Sequence, residues 1–321
     1  MKAKYYLWAL LPVCVVGAVL RVFEILFAIE SDTGFYVQSS VIPMVFNIFA
    51  VVVVLFYISA LVLLKKEKKP INIRFAKITL IEKIAISLSA VGIFASSFFE
   101  FLKTLFPNGT AFSFENMVYV KGIYYSSSSN YTPVINLKPA LSSLSMFMLI
   151  FSILVIIFTV AYIRRPKRTT INSFYKIISL SFTAYYVIRL FSIFVDSSTV
   201  LSRAYGSYTI LFLSAVVLFF MNFSKMLIES PSKKLMLTFG FCAIFFGSIR
   251  LAEFIIMLIP NNPHCIDNNI FAYIADFTTV LAILSMVLRI VVRRQHRQPE
   301  ISEAEPVKTA PVLIGDDEDV N

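Results

Sequence analysis

The sequence predicts an all-α integral membrane protein with about eight transmembrane helices, arranged as four related helical hairpins. Of its 321 residues, 58% are hydrophobic and only 15% are charged. A water-soluble protein of this length exposes a largely polar surface, so a chain this apolar requires lipid as its solvent. Uncharged runs long enough to cross a bilayer, which takes about 20 residues, lie at 33–64, 139–163 and 204–224. Basic residues cluster between such runs, as at the cytoplasmic ends of membrane helices.

Eight membrane spans follow from the gaps between the charged clusters. They are expected at about 5–29, 41–64, 79–106, 140–163, 174–195, 207–228, 235–259 and 270–292. Basic clusters occupy alternate connections, whereas the intervening connections contain only three basic residues, Lys121, Lys138 and Arg203. An even number of spans puts both termini on one side, and the positive-inside rule makes that side the cytoplasm. We therefore expect a multi-pass protein of the plasma membrane with both termini cytoplasmic.

The amino terminus resembles a signal peptide, because basic residues at positions 2 and 4 precede an apolar stretch. However, the apolar pattern resumes beyond Arg21, and no small-residue cleavage site precedes that arginine. We expect an uncleaved first helix. The transmembrane domain would accordingly occupy residues 1–297.

Two segments outside the spans differ from the rest of the chain. The outer connection 107–138 is longer than a link between two helices requires and includes a serine run. It also holds two Asn-X-Thr sequences, at Asn108 and Asn130, which indicate glycosylation only in a host that glycosylates proteins. The tail, residues 298–321, is acidic and contains proline, so we expect a disordered cytoplasmic segment.

The charged residues within the spans follow a register that recurs along the chain. Arg21 and Glu24 in the first span have the same spacing as Arg250 and Glu253 in the seventh. A basic cluster begins 44 residues after Arg21 and 43 residues after Arg250. The third span keeps only the glutamate of this pair, and the fifth span keeps only the arginine. The register predicts four parallel hairpin repeats, related by an axis along the membrane normal.

The recurring residues predict one charged layer toward the outer leaflet. At about 1.5 Å per residue, Arg21 lies roughly 25 Å from the inner edge of a hydrocarbon core about 30 Å thick. In the second helices of the first and last hairpins, Asn47 and Asp276 each follow the repeat's glutamate by 23 residues. The candidate substrate-binding residues of this layer are Arg21, Glu24, Asn47, Glu100, Arg189, Arg250, Glu253 and Asp276.

Three interpretations of this layer remain open from the sequence. In the structural one, the arginines extend to the outer headgroups, and the glutamate three residues further on satisfies the arginine of its own helix. In the functional one, the charges converge on an interior site, where guanidinium groups would bind a carboxylate or phosphate and carboxylates would hold an amine. In the third, the layer contacts a partner protein within the membrane.

Several functional classes lack the residues that they require. The basic clusters lack the interleaved aromatic residues of a nucleic-acid surface, so no nucleic-acid partner is expected. The two histidines, His264 and His296, lie outside the spans, which excludes motifs such as HExxH, and the group at 263–267 is a weak metal candidate. The chain has neither a GxxxxGK[ST] phosphate loop nor a GxSxG nucleophile motif. No cofactor or metal is predicted, and an enzyme is less favoured than a protein without catalytic activity.

Two functional hypotheses remain. A transporter or permease for a small polar, charged or zwitterionic solute is slightly favoured, because internal repeats and ionisable residues within the membrane are common in transport proteins. The alternative is a non-transporting membrane sensor or scaffold subunit, which would dock a membrane protein partner through its outer loop, its tail or the charged layer. Under both hypotheses most of the chain is in contact with the lipid bilayer.

Overall fold

A computed structural model describes residues 3–29, 36–37, 40–64, 78–105, 144–164, 173–195, 204–228, 233–259 and 270–292 of the chain. The predicted outer connection (107–138), its two Asn-X-Thr sequences, the group at 263–267 and the tail (298–321) lie outside these residues. Eight helices in the described ranges are long and apolar enough to cross a membrane. The protein is therefore an all-α multi-pass membrane protein in contact with a lipid bilayer, as the sequence predicts. The choice of membrane and the cytoplasmic position of the termini stay predictions.

The helices begin and end close to the predicted bounds. They are α1 (Ala3–Ala28), α2 (Ile42–Leu63), α3 (Leu80–Leu105), α4 (Leu144–Ile163), α5 (Ser173–Ile178), α6 (Ser181–Val195), α7 (Ala204–Ile228), α8 (Lys233–Met257) and α9 (Ile270–Val292). Long apolar segments form helices in lipid because a helix bonds every backbone group within the segment. Pro43 lies in the first turn of α2, where its missing N–H has no helical partner to lose.

The fifth span differs from the single helix predicted over 174–195, because a turn at Ser179 and Leu180 divides it into α5 and α6. The N–H of Leu180 bonds to the carbonyl of Ile177 at 3.1 Å, one residue closer than in a regular α-helix. Ser224 of α7 donates its hydroxyl to the carbonyl of Ser179 at 2.6 Å. A side chain of the neighbouring helix thus satisfies a backbone group at the break, as the membrane interior requires.

Each predicted hairpin is present as an adjacent pair of helices: α1 with α2, α3 with α4, α6 with α7, and α8 with α9. The four hairpins do not surround one axis evenly. Helices α3, α4, α6, α7, α8 and α9 form a closed circuit of neighbours, whereas α1 and α2 pack outside this circuit against α8. Helix α8 therefore lies between the first hairpin and the others, and its apolar residues occupy all of its faces. The relation of the hairpins as repeats stays a prediction.

Two glycines let α9 approach its neighbours closely. A Cβ atom at Gly247 of α8 would lie 2.2 Å from Cγ2 of Val280, and one at Gly92 of α3 would lie 2.7 Å from Oγ1 of Thr278. Both separations are far below van der Waals contact, so larger residues would move α9 away. Small residues at a helix crossing allow the backbones to approach each other. This close packing places Asp276 of α9 within reach of α8.

Candidate functional site

The first part of the site joins α1 to α8. Arg21 donates from Nη1 to Oε2 of Glu24 on its own helix at 2.6 Å. It also donates from Nη2 and Nε to Oε1 of Glu253 on α8, at 2.6 and 3.0 Å. The guanidinium of Arg21 therefore binds the glutamate of both Arg-x-x-Glu sequences. The ring of Tyr208 lies over it, with its centroid 4.6 Å from the guanidinium carbon, which is a cation–π arrangement.

The second part of the site joins α8 to α9. Arg250 donates from Nη1 to Oε2 of Glu253 at 2.7 Å and from Nη2 to Oδ2 of Asp276 at 3.3 Å. Tyr273 of α9 contacts the same guanidinium twice. Its hydroxyl accepts a hydrogen bond from Nη1 at 3.2 Å, and its ring centroid lies 4.1 Å from the guanidinium carbon. Glu253 is thus shared between two arginines from two helices.

The third part of the site joins α9 to α6. Arg189 donates from Nη2 to Oδ2 of Asp276 at 3.0 Å and from Nη1 to Oδ1 of the same carboxylate. Two parallel bonds between a guanidinium and a carboxylate form the strongest and most directional pairing of these groups. Asp276 is therefore shared between Arg189 and Arg250, just as Glu253 is shared between Arg250 and Arg21.

These contacts form one alternating series of acids and bases, here called the charge chain. In order of contact its members are Glu24, Arg21, Glu253, Arg250, Asp276 and Arg189. Three carboxylates balance three guanidinium groups, so the charge chain is neutral. All six residues are buried, and the most exposed is Arg189 at 6%. As in the structural interpretation, Arg21 and Arg250 each pair with the glutamate of their own helix, but both also pair with an acid of a neighbouring helix.

Asn47 reaches the charge chain through a tyrosine. The hydroxyl of Tyr208 donates to Oδ1 of Asn47 at 2.6 Å, while its ring lies over Arg21. Asn47 therefore positions an aromatic ring instead of contacting a charge directly. Tyr208 and Tyr273 are residues of the site that the sequence reasoning missed, because a tyrosine in an apolar span carries no charge that marks it.

Glu100, which the repeat assigns to the same layer, is not among the six members of the charge chain. Its side chain is 35% exposed and pairs with Lys103 of the same helix at 3.9 Å. In α3, Ser97 occupies the position that holds arginine in α1 and α8. Helix α3 also packs against α9 through small residues such as Gly92. It therefore brings no guanidinium toward the charge chain.

A second buried ionic group, here called the inner cluster, consists of Glu82, Tyr162 and Arg289. The hydroxyl of Tyr162 donates to Oε1 of Glu82 at 2.9 Å and accepts from Nη2 of Arg289 at 3.1 Å. Nε of Arg289 lies 3.2 Å from Oε2 of Glu82. Arg289 follows Asp276 by 13 residues in α9, a distance of about 20 Å along a helix. The sequence reasoning missed this cluster because both charges lie near the ends of their spans, where charges are ordinarily solvated.

Hydroxyl groups extend the polar contacts from the charge chain toward α3. Tyr186, in the turn of α6 that precedes Arg189, is hydrogen bonded to Oγ1 of Thr279 at 2.5 Å. Thr279 is hydrogen bonded in turn to Ser89 of α3 at 2.9 Å. All three side chains are fully buried. At this depth helix α3 thus contacts the polar interior through the hydroxyl group of Ser89.

Tyr36, between α1 and α2, lies beside the Glu24 end of the charge chain. Tyr36 pairs with Ile29 in an isolated bridge, and the N–H of Val37 donates to the carbonyl of Ala28 at 2.9 Å. Burial, reinforced by the negative charge of Glu24, raises the pKa of Tyr36 above its ordinary value. The phenol is therefore neutral at physiological pH, and it can act as a hydrogen-bond donor next to the carboxylate.

No protein-family model, curated protein or solved structure matches this chain. Within the described ranges, no group of three or more His, Cys, Asp or Glu residues is arranged to hold a metal ion. The chemistry of the site therefore follows from its own groups. Guanidinium forks bind carboxylates and phosphates, and carboxylates bind amines, so the charge chain is suited to a small charged or zwitterionic molecule.

Proposed function

We propose that this membrane protein is a transporter or permease for a small polar or charged solute, and that the charge chain is its binding site. The observation that carries the proposal is the convergence of six buried charges from α1, α6, α8 and α9. Ionisable residues within membrane segments face an interior or a wet cavity, and they commonly mark the path of a substrate or ion.

Stability alone is a weak reason for such a site. Each charge near the centre of a bilayer costs about 2.5–3.5 kcal/mol on insertion scales. Moreover, replacing a buried ion pair with well-packed apolar residues is often neutral or stabilising. Six buried charges, where apolar side chains would serve the fold as well, favour a role in binding.

The broken fifth span supports the same proposal. Discontinuous helices are typical of transporters, in which the break forms part of the substrate site or permits one segment to move. Helix α6 begins at the break after Leu180 and carries Arg189, one end of the charge chain. A movement at this turn would change the contact between Arg189 and Asp276.

The test is the access of water to the charge chain. The three native cysteines are replaced by alanine, and single cysteines are placed at Ser192 and Ala272, one turn from Arg189 and Asp276, and at Ser97, the α3 position that holds arginine in α1 and α8. The matched controls are cysteines at Phe98, Phe191 and Ile274, which are exposed on the same helices at nearly the same depths. Intact cells and inverted vesicles are treated with a membrane-impermeant maleimide.

A transporter is expected to be labelled at the three site positions, from at least one side of the membrane, and much more slowly at the controls. Maleimides react with a thiolate in water, so a position facing hydrocarbon stays unlabelled even when it is exposed. Protection of all three site positions from both sides would contradict the proposal.

The second candidate is a non-transporting sensor or scaffold subunit, and one observation favours it. Every charge of the charge chain is paired inside the protein, which is also the arrangement of a sealed structural network. Protection from both sides in the labelling experiment would favour this candidate over transport.

A further inference from the structure

We propose that the solute carries a carboxylate and that Arg189 is the residue that binds it, with the solute carboxylate taking the place of Asp276. This inference rests on the proposed transport function and names its substrate class. It follows from an asymmetry among the three arginines of the charge chain and from the partners of Asp276.

Two of the three arginines are held from several sides. Arg21 binds both Glu24 and Glu253, and the ring of Tyr208 lies over it. Arg250 binds two carboxylates as well and is stacked on Tyr273. Displacing either guanidinium would break bonds to two acids and an aromatic contact. These two arginines therefore form a fixed framework.

Arg189 lies at the end of the charge chain and pairs with one carboxylate of the described residues, Asp276. The two parallel bonds between them have the geometry that any carboxylate adopts on a guanidinium. A solute carboxylate can therefore replace Asp276 with the same two bonds and without moving the guanidinium. Such an exchange conserves the number of charge-assisted bonds to Arg189.

Asp276 has a second partner when Arg189 releases it. Nη2 of Arg250 donates to its Oδ2 at 3.3 Å, so the carboxylate stays paired after the exchange. The opposite end of the charge chain behaves differently. Glu24 has one ion-pair partner among the described residues, Arg21, and Tyr36 beside it can supply a hydrogen bond but no positive charge. Opening that end would leave an unpaired buried acid, which is strongly unfavourable.

The net charge of the site after the exchange indicates which second group the solute carries. A solute carboxylate on Arg189 adds one negative charge to a neutral buried site. An amine on the same molecule would restore neutrality by binding Asp276, which has just lost one of its two arginines. Small amino acids and related zwitterions therefore fit the site better than simple anions do.

The experiment measures protection of a cysteine at Ser192, one turn outward from Arg189, in the background without native cysteines. The carboxylate probes are acetate, glycine, 4-aminobutyrate and succinate, and the controls lacking a carboxylate are ethylamine and glycerol. We expect at least one carboxylate probe to slow maleimide labelling severalfold, with the zwitterions more effective than acetate. Ethylamine and glycerol should leave the rate unchanged.

The same measurement is repeated in Arg189→Lys and Arg189→Gln. Lysine keeps the positive charge but lacks the planar fork, so both variants should lose the protection. Glu100→Gln, which alters an exposed acid outside the charge chain, is the matched control and should keep it. Two controls report whether each variant is folded. A cysteine at Phe191 should be labelled as slowly as in the parent protein, and the purified protein should elute as a single species.

The outcomes separate the two proposals. Absence of labelling at Ser192 and the other site positions from both sides would reject transport itself. Labelling that no carboxylate probe slows, or that ethylamine slows as strongly, would reject the carboxylate class and leave transport standing. Full protection in folded Arg189→Lys would show that Arg189 does not bind the carboxylate.

Discussion

Two ion pairs with the same three-residue spacing have opposite environments in this protein. Arg21 and Glu24 of α1 are fully buried and lie 2.6 Å apart, whereas Glu100 and Lys103 of α3 are 35% and 41% exposed and lie 3.9 Å apart. The spacing puts both pairs on one face of their helix. The neighbouring helix differs, because α1 presents its pair to Glu253 of α8, whereas the pair of α3 is about one third exposed or more.

The comparison shows that burial of a charge depends on complementary charges from other helices. Arg21 forms an ion pair within α1 and another with α8, so its guanidinium is satisfied after losing its water. Lys103 has an acid at 3.9 Å and the ring of Phe99 at 5.1 Å, and its side chain is 41% exposed. Removing a charge should therefore have a large effect in the charge chain and a small one in the Glu100–Lys103 pair.

The largest effect is expected for Glu253→Leu, which removes the carboxylate shared by Arg21 and Arg250. Breaking a buried pair leaves an uncompensated charge and typically costs about 3–5 kcal/mol. We expect a loss of that size in the free energy of unfolding, measured by helix content during titration of mixed micelles with dodecyl sulfate. Glu253→Gln keeps the shape and is the milder control. Wild-type stability of Glu253→Leu would contradict the account of the charge chain as a tightly coupled network.

Removing a charge from the inner cluster should lower stability less, and a second substitution should restore part of the loss. Glu82→Leu leaves Arg289 without its acid and should cost about 3 kcal/mol, near the lower end for a broken buried pair. Arg289 lies in the last turn of α9, so it can extend toward solvent and limit the loss. The double variant Glu82→Leu with Arg289→Met should be more stable than Glu82→Leu alone. If the second substitution lowers stability further, the two charges are not coupled.

A smaller loss of stability is expected when the contact between α8 and α9 is disturbed. This contact holds Asp276 near Arg250. Gly247→Ala would place a Cβ atom 2.2 Å from Cγ2 of Val280. Overpacking of this kind costs about 1–3 kcal/mol. We expect that loss in the same titration, and recovery of most of it in Gly247→Ala with Val280→Ala. Failure of the second substitution to restore stability would mean that the clash does not cause the loss.

The sequence predicts the helices well because charges interrupt the apolar runs at the membrane surfaces. The residues predicted from the sequence also include all six members of the charge chain, because the spacing of Arg21 and Glu24 recurs in α8 and the register extends to Arg189 and Asp276. The sequence does not reveal that the two copies bind each other. That contact depends on the packing of α1 against α8, and spacing along a chain carries no information about which helices become neighbours.

The errors have the same origin. Glu100 fits the register, but near it the buried face of α3 carries the small and hydroxyl residues Gly92, Ser96 and Ser97, and Glu100 itself does not join the charge chain. Arg289 and Glu82 lie near the ends of their spans, so the sequence does not mark them, although α3, α4 and α9 bury them together. The break after Ser179 depends on a hydroxyl from α7, which no local pattern in the fifth span indicates.

The smallest effect is expected for the exposed pair of α3. Glu100→Gln and Lys103→Met should each change the free energy of unfolding by about 0.5 kcal/mol or less, because solvated pairs contribute little and surface substitutions are usually mild. A double-mutant cycle in the same titration measures the coupling directly. A coupling above about 1 kcal/mol would mean that the pair is shielded from solvent. A small coupling energy would mean that the two ion pairs differ because one is buried between helices. The spacing of the residues, which is the same in α1 and α3, would not explain the difference.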